Sequence, residues 1–153
     1  MSLLQPQPTL AQQKYLRPKR LTATGPFDVK IDLVTVIFQT TTLQHDPVRA
    51  LYSIDGRHAD NSVTIKEIHI RFPDNVRTGA IIDLAKQEFN DVAVWYSLKS
   101  PTEHYSVDCT SGTLTILTLT PGVIAISGTL RGATEADPNG NRHVVDVDFD
   151  LVS

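Results

Sequence analysis

From His143 to Val152 (HVVDVDFDLV) acidic and apolar side chains alternate almost one for one. Successive side chains of an extended strand point to opposite faces. His143, Val145, Val147, Phe149 and Leu151 therefore fall on one side, and Asp146, Asp148 and Asp150 on the other. A helix would scatter the same apolar groups around its circumference and bury none of them well. The alternation recurs at Phe27, Val29, Ile31 and Leu33 against Asp28, Lys30 and Asp32. It runs on through residues 34–38 with an unclean apolar phase, as at a bulge or in a strand buried on both faces. The chain has the material for many such strands: 17 Thr, 14 Val and 11 Ile make up about 27% of its 153 residues. These β-branched side chains lose rotamer freedom in helices and pack well on a pleated sheet.

Further strands are predicted at Val48–Ile54, Val63–Phe72, Ala80–Leu84, Val92–Leu98, His104–Asp108, Thr113–Leu119, Val123–Leu130 and His143–Val152, with a bulge near Lys66-Glu67. Asp46-Pro47, Asp55-Gly56 and Asp60-Asn61 mark turns in a loop-rich stretch over residues 39–62. Only residues 9–16 and 84–90 have the pattern of short helices. Parallel strands need crossovers usually made of helix, so the pairing is expected to be mainly antiparallel. About nine strands without a repeat predict an all-β, two-sheet β-sandwich, with a closed β-barrel as the alternative. The expected core comprises Val29, Ile31, Leu33, Ile68, Ile70, Phe72, Val94, Tyr96, Ile116, Ile124, Ile126, Val145, Val147 and Phe149. Residues 1–26 read as a partly ordered N-terminal arm, and 27–153 as a single domain.

A net charge of −3 argues against a nucleic-acid partner, whose phosphates require a basic surface. The one basic cluster is Lys14, Arg17, Lys19 and Arg20, read as a solvated arm. No apolar run of about 20 residues is present to span a bilayer as a helix. Residues 1–13 (MSLLQPQPTLAQQ) lack the pattern of a secretory signal, so the expected address is cytoplasmic, or secreted or periplasmic if a leader precedes the sequence.

The acidic row of residues 146, 148 and 150 repels itself unless it is hydrated, matched by cross-strand cations or bridged by a metal. Asp137-Pro138-Asn139-Gly140-Asn141, with Asp148 further on, imitates a calcium loop. Arg142 replaces the glycine that such a loop needs, and a hairpin turn explains the same residues. Of the five histidines, His45 beside Asp46 and His58 near Asp60 offer a loop-borne metal or acid–base site. Cys109 has no histidine at a spacing that would place both on one strand face, so it reads as a packed thiol. Trp95 falls out of phase with Val92, Val94, Tyr96 and Leu98, which points it away from their core. An indole in that position suits a binding surface, with Tyr52 and Tyr105 as companions.

Several stretches carry a family likeness: IxxRFPDNVRTGAI (68–81), VWYSL (94–98), SGTLTI (111–116), IAISGTL (124–130) and the valine-rich last strand. Over roughly residues 63–152 the chain resembles a loose group of small bacterial β-sandwich domains of unknown function, many of them in secreted lipoproteins. It departs from that group in Leu130, in Asp148 and in having no lipobox. The resemblance implies a fold and supplies no catalytic residue. The expected function is a noncatalytic domain presenting a surface to a protein or carbohydrate partner, with no cofactor. A metal-assisted hydrolase using residues 45–60 and a structural, self-associating homo-oligomer are the alternatives.

Overall fold

A computed structural model describes residues 19–59, 63–86, 92–120 and 124–153. The fold is all-β, and none of the described residues is helical. Among the described residues there are eleven strands: β1 (Lys19–Thr22), β2 (Phe27–Ile31), β3 (Val34–Ile37), β4 (Thr40–Asp46), β5 (Leu51–His58), β6 (Ile65–Pro73), β7 (Ile81–Asp83), β8 (Ala93–Lys99), β9 (His104–Thr120), β10 (Ala125–Thr134) and β11 (Val144–Val152). They pair antiparallel in the order β1-β4-β5-β6-β8-β9-β10-β11-β2-β3, with β7 on the side of β9. Pairing is continuous, so one curled sheet forms a half-barrel where two separate sheets were expected. The reason lies in β9, which is 17 residues long: residues 104–108 pair with β8 and residues 109–120 with β10. A strand that serves two neighbours in turn carries the sheet around the core without a break.

The segment from β1 to β2 makes a similar passage. Its first part pairs with β4, and Ala23 N donates to Thr41 O at 2.9 Å. Thr24 and Val152 then exchange backbone bonds of 2.8 and 2.9 Å, and β2 goes on to pair with β11. Gly25 sits at the changeover with φ +116°, where a Cβ would lie 2.1 Å from Asp150 O, so no side chain fits. Residues 19–22 form β1 at the end of the sheet, and Thr24 bridges to Val152. Lys14 and Arg17 lie outside the described residues.

The core fills the inside of the curl. Thirteen of the fourteen expected core residues are buried, Leu33 being the exception. On β11 the alternation holds throughout, burying Val145, Val147, Phe149 and Leu151. Each such side chain contributes about 1.5–3 kcal/mol relative to exposure. The acidic face is matched by cations: Lys30 and Arg131 flank Asp146, and Arg131 Nη2 donates to Asp148 at 2.8 Å.

Leu33 is exposed because residues 27–38 form two strands, not one. Asp32 and Leu33 make a two-residue hairpin turn with φ +52° and +67°, a left-handed geometry usually taken by Asn or Gly. The stretch over residues 39–62 is also more ordered than its turn signals imply, since β4 and β5 form a regular hairpin there. The turn is Asp46–Ala50, so the strand begins at Leu51 and not at Val48. Gly56 marks no turn: it lies inside β5 opposite Phe27, where a Cβ would come within 2.3 Å of the ring. Pairing of β6 with both neighbours runs without the expected bulge. Residues 84–86 form a turn, and the other residues of the two candidate helices, 9–16 and 87–90, lie outside the described residues.

Candidate functional site

The hairpin of β4 and β5 sets where the candidate metal-site residues His45, Asp46 and His58 lie. His45 pairs with Tyr52 at one end of β5, while His58 closes the other end, six residues and roughly 20 Å away at ~3.3 Å per residue. His45 stacks on Tyr52 with ring centres 4.5 Å apart, and its Nε2 meets Asp74 Oδ2 at 3.0 Å. Asp46 accepts the Val48 and Arg49 amides at 3.1 Å each, which makes it the cap of the tight turn. His58 Nδ1 faces Ile37 O at 2.5 Å. Asp60 lies outside the described residues. The strand between them keeps His45 and His58 apart, and among the described residues no three His, Cys, Asp or Glu side chains gather to hold a metal.

The expected binding residues also separate. Trp95 stands on the outer face of β8, half-buried, with its ring stacked on His69 of β6 at 3.8 Å and 16°. His69 Nδ1 in turn meets Asp55 Oδ1 of β5 at 2.5 Å, and Asp108 of β9 pairs with Trp95 on the other side. An Asp55–His69–Trp95–Asp108 ladder therefore crosses four strands, because their registers align. Tyr52 is in the core, 3% exposed, and does not join it. Tyr105 pairs with Leu98 and points to the inner face.

There Tyr105 borders a cleft of about 420 Å³ between the β2–β3 turn, the start of β9 and the 135–143 connection. At its centre His143 is held from both sides. Its Nδ1 meets Asp32 Oδ2 and its Nε2 meets Asp137 Oδ2, each at 2.8 Å, while the Tyr105 hydroxyl lies 3.2 Å from Nε2. Both nitrogens donate at once only if the ring is an imidazolium. Burial opposes that charge, but the hydrogen bonds and attraction of Asp32 and Asp137 outweigh it and raise the His143 pKa. For Asp137 the His143 bond lowers the pKa against the opposing effect of burial, with help from the Asn141 and Asn139 amides. A general base needs a free nitrogen lone pair, and here both nitrogens are spoken for, so the ring acts as a clasp.

Tyrosines line the clasp. Burial, then the charges of Asp137, Glu103 and Asp32, push the Tyr105 pKa to about 12. Tyr96 is raised for similar reasons, burial first, and its ring meets His143 edge-on at 5.6 Å. Asp32 also accepts the Val144 amide at 2.9 Å, which ties the left-handed β2–β3 turn to the head of β11. In sequence, Asp137 and His143 are six residues apart and joined by a turn, a signal that a hairpin reading could have caught. Asp32 lies 111 positions from His143, and nothing local links them. Asp137 spends its carboxylate on backbone amides and His143, which leaves the calcium-like motif explained as a turn, with Gly140 at φ +82°.

Against family models, curated proteins and solved structures the chain finds no match. Cys109 is buried, and burial followed by the charge of Asp108 pushes its thiol to about 12, which keeps it protonated. Among the described residues no helix is long and apolar enough to cross a membrane.

Proposed function

We propose that this chain is a noncatalytic binding domain that presents the outer face of β6, β8 and β9 to a protein or carbohydrate partner. The observation that carries this reading is the Trp95–His69 stack, whose histidine is fixed by Asp55. A large aromatic ring held in one orientation loses little freedom on binding, and such residues dominate interface energetics. Hydroxyls and an ion pair flank it: Ser97 Oγ donates to Ser106 Oγ at 3.1 Å, and Arg57 lies 3.5 Å from Glu67. That mixture resembles a polar interface rim around an aromatic anchor. Behind this face the curled half-barrel is flattened like a sandwich, with residues 22–27 passing from β4 to β11.

Tryptophan emission tests the platform directly. Trp95 is the only tryptophan, so emission should be quenched by acrylamide in the free protein and protected when a partner binds. Trp95→Ala should weaken capture of that partner by about 2 kcal/mol or more. A blue-shifted emission that resists quenching in the free protein would remove the platform and this reading with it.

A second reading, self-association, is favoured by β3. It ends the strand order, and Val34 and Ile37 on it, with Leu33 beside it, are exposed. Edge strands of this kind template pairing with another chain. Light scattering on the eluting protein should then reveal a dimer that Val34→Lys abolishes, and a monomer at high concentration would count against it.

A further inference from the structure

The geometry points to the His143 cleft as a second binding site, for a neutral polyhydroxylated ligand of the mono- or disaccharide class. This does not depend on Trp95, which stands on the opposite face of the sheet. The carrying observation is Tyr96. The residue is 3% exposed, its ring packs beside His143 and it lines the cleft; its hydroxyl has no hydrogen-bond partner among the described residues, yet no buried side-chain polar atom there is left unsatisfied, so that hydroxyl opens to solvent. A hydroxyl that stays wet while the ring behind it is packed can exchange its water for a ligand group without any rearrangement of the protein. Here the space in front of it is the cleft, so a ligand hydroxyl can take that role.

The chemistry of the walls selects the class. Three carboxylates, Asp32, Glu103 and Asp137, face two cations, Lys66 and His143, so opposite charges nearly cancel within the cleft. A site for a strongly charged ion would keep a clear excess of the opposite sign. Instead donors and acceptors alternate. The Asn139 amide nitrogen already donates to Glu103 Oε1 at 2.6 Å, leaving the other Glu103 oxygen for a ligand hydroxyl, with Lys66 as a donor across the opening. The Tyr105 ring, stacked on His143, supplies an apolar wall for the C–H face of a sugar. A volume of about 420 Å³ lies in the range of small-ligand pockets, roughly 300–1,000 Å³.

Amide NMR of the full chain, titrated with a panel of neutral sugars (glucose, galactose, mannose, N-acetylglucosamine, maltose and cellobiose) at millimolar concentration, tests this, with choline and citrate as cationic and anionic probes. At least one sugar should shift the resonances of Asn139, Asn141 and His143 while leaving the Trp95 indole unmoved. Tyr96→Phe keeps the ring and removes only the unpartnered hydroxyl; it should weaken that sugar about tenfold. A panel that shifts nothing in the cleft overturns the proposal. So does a sugar that moves only the Trp95 indole, unchanged affinity in Tyr96→Phe, or tighter binding of choline or citrate than of every sugar.

Discussion

His143 shows how much a single side chain can take on when tertiary structure brings charges to it. Its folded pKa is raised, so the folded state holds that proton more firmly than the unfolded chain does. The resulting stabilisation is fully present below the ordinary value of 6.5 and is lost as pH rises through the folded value. Asp137 is shifted the other way: its contribution is present above its ordinary 3.8 and is lost as pH falls through the lowered value. The clasp is therefore strongest between those two values. His143→Ala should cost about 2–3 kcal/mol there, since two carboxylates lose charged hydrogen bonds. Urea unfolding across a pH series should show the gap from the native chain narrowing as the solution becomes alkaline. Leu33 offers a contrast, because its left-handed φ of +67° opposes its own preference and its side chain is 77% exposed. Leu33→Gly should raise stability by about 0.5–1 kcal/mol, the steric relief exceeding the added freedom of the unfolded chain. Chemical denaturation reads this directly, and a loss of stability would mean that the turn is not under strain.

Among the elements, β9 is the one on which the architecture turns. The sequence suggests two strands there, at residues 104–108 and 113–119, and the structure joins them through Gly112 at φ +105°. A Cβ at that position would lie 1.9 Å from Arg131 O, backbone that cannot move without breaking the β9–β10 ladder. Gly112→Ala should therefore destabilise by about 2–4 kcal/mol, from combined clash and backbone strain. A melting temperature close to that of the native chain would disprove this account of the corner. The β2–β3 hairpin failed to declare itself for a related reason. Asp32-Leu33 is a poor turn dipeptide, and its conformation is held by bonds from the Val144 amide and His143 rather than by its own propensity. Likewise, Asp55-Gly56 looks like a turn, but Gly56 serves the packing of Phe27. Local signals mislead wherever a distant neighbour is the cause.

For the whole molecule, the long-range pairing of β2 with β11, more than a hundred positions apart, sets the kinetics. Loop closure of that length precedes any reward from contacts, so refolding should take milliseconds to seconds, slow for a chain this size. Stopped-flow dilution from urea would check it, and microsecond folding would contradict the topology. What the amino-acid sequence determined unaided was the class and part of the inside of the protein. Strict alternation leaves no other way to bury Val145, Val147, Phe149 and Leu151 together, so an all-β fold and thirteen of the 28 buried apolar residues among those described were legible from spacing alone. Tertiary structure alone decided where the sheet bends, that it is continuous, and which polar groups meet. Trp95 finds His69, and His143 finds Asp32, only because strand register brings them side by side. Alternation fixes which face a side chain takes, but register depends on free energies summed over pairs of distant strands, and no local stretch of chain contains that sum.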